Sequence, residues 1–284
     1  MKFVTYIYNG KKTPGIMSED LNSVHALSAL ETEYDSLLSF IKNHTAADMD
    51  ALNELSKNQG MPVEEVKLIA PIPNPDHNII CVGLNYMDHV AESPTNETER
   101  KEAVYFSKYV TEAVGPEGDI DSHKEILKGL DYEAELAVVI GKDANKISRE
   151  DAWSHVFGLA AFNDVSGRDQ QFRHQQWFFG KSLDTFTVMG PWIVSADEFS
   201  WPLDLGIQCR VNGETRQNNR TTNMIFPVDY VISELSEGLT LEAGVIIATG
   251  TPSGVGLANE NYLKPGDIVE VEVEGCGLLR NFIE

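Results

Sequence analysis

Apolar positions along this chain fall into two kinds of run. Residues 78–84, 136–140, 157–162 and 244–249 are apolar without alternation apart from Asn78 and Thr249 at their ends. That pattern predicts strands buried on both faces. Residues 268–274 instead alternate valine with glutamate after Ile268. This predicts a strand with one wet face, so its acids point to solvent. Leu and Ile recur at helical spacing over residues 27–41, and further helical patterns lie at 51–55 and 225–235. A short helix is expected over 148–153, where Ser148 and Asp151 form an N-cap arrangement. Asn9-Gly10 and Asn212-Gly213 are hairpin signals. Lys264 to Asp267 and Gly115 to Asp119 read as turns. Strands outnumber helices after residue 75, so the expected class is α+β, mostly β.

Ala70-Pro71-Ile72-Pro73-Asn74-Pro75 cannot continue a helix or a central strand. The domain boundary is placed there, giving a small N-terminal α/β module over residues 1–70 and a larger domain over 71–284. The first holds no catalytic constellation, and its His25 and His44 are isolated. In the second, residues 93–103 are polar and aperiodic. They read as a mobile loop where a lid would be useful.

One stretch of the larger domain is chemically unusual. Residues 130–141 read as a single strand, in which Asp131, Glu133 and Glu135 share a face. Carboxylates entering so apolar a strand cannot stay ionised and unpaired. Two readings stand: an edge strand whose acids face water, or a site for a divalent cation.

Net charge is −22. A polyanion is repelled by phosphate backbones and by anionic lipid surfaces, which excludes nucleic-acid and membrane partners. An anionic substrate would need a metal, Lys or Arg to reverse the field locally. Cys81, Cys209 and Cys276 form no CxxC pair and lie in or beside apolar runs, as buried thiols in a reducing compartment do. There is no signal-peptide layout and no apolar stretch of the roughly 18 residues a bilayer span needs. A soluble cytoplasmic protein is expected.

Other candidates lie at the ends of strands. If a helix begins near Asp88, His89 and Glu92 sit at i and i+3 on one face. A carboxylate on one imidazole nitrogen fixes the tautomer and raises the basicity of the other, the make-up of a general base. A solvent-exposed His near a helix start is the competing reading. Asp164 ends the 157–165 run as a second source of acid, or as a helix cap. Arg168 and Gln171 would project together from a helix starting there, and Arg can bind a carboxylate through two parallel hydrogen bonds. Lys181 is the only lysine between Lys146 and Lys264. It is an anion contact or an ordinary surface residue. Residues 250–256, Gly-Thr-Pro-Ser-Gly-Val-Gly, suggest backbone in close approach to something, but no Gly-Lys-Ser/Thr follows to make a P-loop.

Taken in order, these segments resemble the fumarylacetoacetate hydrolase family. The resemblance covers about residues 70–284. It rests on Gly83-Leu84-Asn85-Tyr86 with His89 and Glu92, on residues 131–136 and 163–171, on Gly180 to Thr185, on Val211 to Glu214, and on Thr249 to Gly256. It implies a sandwich-like mixed β roll, usually paired as a homodimer. It implies Mg2+ or Mn2+ held by Glu133, Glu135 and Asp164, with Asp131 not normally a ligand. His89 and Glu92 match the family's water-activating pair, while Lys181, Arg168, Gln171 and Thr251 match positions that contact substrate oxyanions. Glu102-Ala103-Val104 departs from relatives near the expected lid, and Val188 and Val245 depart at positions that look structural.

Three carboxylates suit a hard cation. A 2-oxo or 2,4-diketo acid would chelate such an ion, which then stabilises an enolate. The expected activity is hydrolytic C–C cleavage of 2,4-diketo acids of the acylpyruvate or fumarylpyruvate type, with Lys181 and His89–Glu92 catalytic. Oxaloacetate decarboxylation and isomerisation of unsaturated oxo-diacids use the same enolate chemistry and are the alternatives. A non-catalytic cation-binding protein is the alternative of a different class.

Overall fold

A computed structural model of the chain describes residues 1–92 and 101–284. The expected lid loop therefore lies mostly outside the described residues. Among them, two sheets carry the fold. The larger has eleven strands. Its centre runs Lys2–Tyr8, Thr187–Ser195, Val156–Asp164, Ala134–Ile140, Ile246–Ala248, Ile79–Gly83 and Val104–Lys108 in spatial order. Pairing along this series is antiparallel except between Ile246–Ala248 and Ile79–Gly83. A five-stranded sheet, ordered Glu214–Arg220, Gly206–Val211, Ile268–Val273, Gly277–Ile283 and Asp119–Ile120, packs across the middle of the first.

This layering explains the apolar runs. Leu136, Val138 and Ile140 enter the core beneath the five-stranded sheet, with Ile207, Val269, Val271 and Leu279. Ala137 and Val139, between them in sequence, enter a second core with Phe3, Phe40 and Phe162 on the opposite face. A strand with a core on each side must be apolar at every position. Ile268–Val273 has one core only, and its residues alternate between wetter and buried positions.

The 130–141 stretch is not one strand. Leu130–Asp131 pairs with Ser166–Gly167 in a separate two-stranded sheet, and Ala134–Ile140 belongs to the large one. The break at Tyr132 and Glu133 cancels the shared face expected for Asp131 and Glu135. The 27–41 pattern also resolves differently, into a 3-10 turn at Leu27–Ala29 and a helix at Leu37–Asn43. Ser36 caps the helix reciprocally with Ser39 and so sets its start. Helix Ala46–Ser56 is capped by Thr45 in the same way. The 225–235 pattern starts late, at Val228, with Pro227 in the capping position.

The N-terminal residues do not stand apart in the sheet. Lys2–Tyr8 hydrogen-bonds to Thr187–Ser195 on one side and to Lys11–Met17 on the other. The second pairing turns through Asn9 and Gly10 at φ 48° and 75°, as a two-residue hairpin requires. No described helix is long and apolar enough to cross a membrane.

Candidate active site

Glu133 is stapled to the end of the neighbouring strand. Its N–H donates to Asn163 Oδ1 at 3.0 Å, and its carbonyl accepts from Asp164 N at 2.9 Å. Antiparallel pairing of Ala134–Ile140 with Val156–Asp164 then sets Glu135 beside them. One carboxylate oxygen each from Glu133, Glu135 and Asp164 lies within 4.8 Å of the others, and all three residues are buried.

So much buried negative charge must be offset. Lys181 Nζ lies 2.7 Å from Glu133 Oε2 and 2.8 Å from Asp164 Oδ2. Arg168 Nη1 lies 2.7 Å from Glu133 Oε1. Lys108 donates to Asp164 and, at 3.1 Å, to the Val165 carbonyl. Burial alone would raise the Glu133 carboxyl, but Lys181 and Arg168 outweigh it and hold it down at about 2. Glu135 has no such partner among the described residues. It accepts the Gly250 N–H at 2.8 Å, and burial, reinforced by Asp164 and Glu133, pushes its carboxyl well above the ordinary range. Gly250 is needed there. Its φ is +94°, and a Cβ would meet Asn85 Cβ at 2.7 Å.

With Asp131, the cluster holds four buried carboxylates against three buried cations, Lys108, Arg168 and Lys181. One negative charge is left over when all four are ionised, and a proton on Glu135, the carboxyl that resists ionisation, cancels it while no cation is bound. The donor set therefore fits a divalent cation in chemistry and in charge: hard oxygens, and a net charge that turns positive once the cation is bound.

Helix Met87–Glu92 supplies the imidazole. Glu92 Oε1 lies 2.8 Å from His89 Nδ1, and the same carboxylate accepts the Gly254 N–H at 3.0 and 3.1 Å. His89, Glu133, Glu135, Arg168 and Lys181 line one cavity of about 70 Å3. Gln171 and Thr251 also face it, although both are already engaged. Gln171 Oε1 accepts from Arg168 Nη1 at 2.9 Å, and the Thr251 hydroxyl donates to the Ala134 carbonyl and accepts from Gln217. Arg168 Nη2, by contrast, is buried with no partner among the described residues, so a strong donor remains for an anion. Part of the lining is apolar, with Phe106 edge-on to Trp177 at 5.3 Å and Lys181 Nζ over the Phe106 ring at 5.2 Å.

One of these residues plays a part that sequence reasoning did not assign. Lys108 is fully buried against Asp164. The period of two on strand Val104–Lys108 places it on the face of Phe106, which lines the cavity. That spacing was the available signal. Asp131, expected to flank the ligands, lies outside the Glu133, Glu135 and Asp164 group. Its carboxylate accepts from Arg168 Nε at 2.8 Å, from Gly256 N at 2.7 Å, from Leu257 N at 2.9 Å and from Tyr132 N at 2.9 Å.

Residues 78–284 match the family described as Fumarylacetoacetate (FAA) hydrolase C-terminal. The chain belongs to this family. It is 47% identical over 223 residues to Oxaloacetate tautomerase YisK of Bacillus subtilis (strain 168), covering 78% of this chain and 74% of the relative. It is 37% identical over 289 residues to the mitochondrial oxaloacetate tautomerase fahd2 of Xenopus laevis, covering 99% of this chain and 89% of the relative. The fold superimposes on the solved structure of a fumarylacetoacetate hydrolase from psychrophilic Exiguobacterium antarcticum with a TM-score of 0.86 at 38% identity, over 100% of this chain and 99% of that one. The mostly β architecture is thus the family's own, and the chain is of an enzyme family that includes tautomerases, isomerases and hydrolases.

Proposed function

We propose that this protein is a divalent-metal-dependent tautomerase that interconverts the enol and keto forms of a small 2-oxo-dicarboxylate, with oxaloacetate as its substrate. The observation that carries the reading is the buried cluster itself. With all four carboxyls ionised it is one negative charge in excess, and Arg168 Nη2 beside it has no partner among the described residues, so it attracts an anion only together with a cation. The tautomerases among its relatives supply the substrate.

Glu133, Glu135 and Asp164 would hold Mg2+ or Mn2+. When bound, the ion supplies Lewis-acid polarisation of the substrate's 2-oxygen and adjoining carboxylate. Arg168 and Lys181 bind and orient the anion. Glu92 holds Nδ1 of His89, which leaves Nε2 to exchange a proton with C3. In the ketonising direction, the imidazolium gives C3 its Nε2 proton, the enol hydroxyl gives up its own to solvent, and a proton from solvent restores the imidazolium, so the step is proton-neutral. No water is consumed and no C–C bond breaks. The apolar wall of Phe106 and Trp177 limits water at the reacting carbon.

The test is to dilute the enol into buffer with Mg2+ and protein and to follow its ultraviolet absorbance. Loss should outpace the spontaneous rate, without release of pyruvate, and a chelator should return it to that rate. Decay no faster than buffer alone would overturn the reading.

Hydrolysis of 2,4-diketo acids is the second reading. The Glu92–His89 pair that favours it would equally deprotonate a water for attack on the distal carbonyl. Turnover of acylpyruvates at rates matching or exceeding those on enol-oxaloacetate would select it, with loss of hydrolysis in His89→Ala. A homodimer belongs to the same proposal and is checked by sedimentation equilibrium.

A further inference from the structure

Asp88 immediately precedes His89 in sequence, yet its carboxylate is solvent-exposed and fully engaged. Oδ2 accepts from the Ser253 hydroxyl at 2.7 Å and from Asn219 Nδ2 at 2.7 Å. Oδ1 accepts from His89 N at 2.8 Å and from Ser253 N at 3.4 Å. Three pieces of chain meet on this one side chain: its own helix, the 250–256 loop, and strand Glu214–Arg220. Exposed acids seldom gather so many partners without a purpose, since holding a surface side chain in one geometry costs entropy.

Asp88 and Glu92 are four apart and so share a helix face. Both reach the same loop. Asp88 takes Ser253 and Glu92 takes the next N–H, that of Gly254. Gly254 itself is fixed, because its φ is +101° and a Cβ would lie 2.0 Å from the Arg216 carbonyl. A six-residue helix has no stability of its own, so its position comes from tertiary contacts, the buried Val90 and Tyr86 together with these polar ones to the loop. Glu92 can hold Gly254 N and His89 Nδ1 together only while the helix stays at this distance from the loop.

We propose that Asp88 is a positioning residue. It latches helix Met87–Glu92 to Ser253 and Asn219 so that the His89–Glu92 pair is aimed into the cavity. The inference rests on the reading of His89 as the proton-transferring group. Because the latch acts on that step and not on substrate binding, it governs kcat and leaves KM alone.

The experiment compares Asp88→Ala, Asp88→Asn, Ser253→Ala and the double variant Asp88→Ala/Ser253→Ala on enol-oxaloacetate with Mg2+. Deuterium exchange of peptides spanning 87–92 and 251–256 is followed in parallel. In Asp88→Ala, kcat should fall about tenfold or more with KM within about twofold, as a modest misplacement of a reacting group produces. Asp88→Asn, which can still accept from Asn219 and exchange a hydrogen bond with Ser253, should lose less than about threefold by the same reasoning. The double variant should be no worse than Asp88→Ala alone, because the two residues share one contact. Exchange in both peptides should quicken together, with the rest of the protein unchanged. A kcat for Asp88→Ala within about twofold of wild type, a KM that rises as kcat falls, or unchanged exchange in the two peptides would each overturn the latch. Should the wild type fail to act on the enol, the functional reading falls, while the exchange data still decide whether Asp88 holds helix to loop.

Discussion

Asp131 and Arg168 form a sealed ion pair, with Nε 2.8 Å from Oδ2 and neither side chain more than 5% exposed. The acid that opens the run of carboxylates thus orients the cation that awaits the substrate, and it also gathers the N–H groups of Gly256 and Leu257 at the cavity's edge. Removing one partner of such a pair strands the other charge. Asp131→Ala should cost roughly 3–5 kcal/mol of stability, read by urea unfolding. A loss below about 1 kcal/mol would mean that the pair is not buried in solution.

Arg168→Lys keeps the charge and loses the fork. Lysine cannot serve Asp131, Glu133 and a substrate oxygen from one planar group. KM for oxaloacetate should rise by about tenfold or more, the worth of one hydrogen bond to a charged group, with a smaller change in kcat. Unchanged KM would remove Arg168 from the binding site.

Lys108→Met tests the residue that the sequence hid. Asp164 would keep Lys181 but lose its other ammonium partner. The protein should melt lower, and added Mg2+ should raise its melting temperature by more than it raises that of wild type, because the ion replaces the missing charge. Equal Mg2+ shifts in the two proteins would place Lys108 outside the electrostatics of the metal site.

Glu135 makes the site sensitive to pH. Burial, then Asp164 and Glu133, raise its carboxyl well above the ordinary 4.5. In metal-free protein the native state therefore retains a proton that the unfolded chain has lost. The stability this supplies is complete below pH 4.5 and disappears as pH rises through the folded value. A cation needs the ionised form, so Mg2+ affinity should climb over the same window and binding should release a proton. Calorimetry in buffers of different ionisation enthalpy measures that release, and Glu135→Gln should abolish it. Proton release unaltered by that change would assign it to another group.

Metal removal should abolish substrate binding together with turnover, because the cluster without its ion is neutral while Glu135 keeps its proton and negative once it ionises, and so offers an anion no net attraction. Equilibrium binding of a non-reactive 2-oxo-dicarboxylate to chelator-treated protein measures this. Tight binding without metal would contradict the charge balance.

Much of this site was legible in the chain because strand periodicity is simple. Glu133, Glu135 and Asp164 meet as the apolar runs and their ends suggest, and His89 faces Glu92 as the i, i+3 spacing requires. What stayed hidden depends on a break or on distant partners. Spacing alone placed Asp131 with Glu135, but the chain leaves the sheet at Tyr132, and nothing local marks the exit. Lys108 looks like an ordinary strand-end lysine until Asp164 arrives from 56 positions away. Thr251 carries a hydroxyl suited to substrate, but Ala134 and Gln217 already occupy it.

Strand Lys2–Tyr8 has a consequence for how the molecule is divided. It lies inside the large sheet, directly against Thr187–Ser195, and Phe3 and Phe40 seal the second core over Ala137 and Phe162. The segment that matches the family begins only at residue 78. Cut out alone, that segment would present Thr187–Ser195 as a raw edge, with unpaired amides and a bared apolar floor, the template on which sheets add further copies of themselves. The first seventy residues are in this sense a selvedge, woven in so that the cloth does not fray.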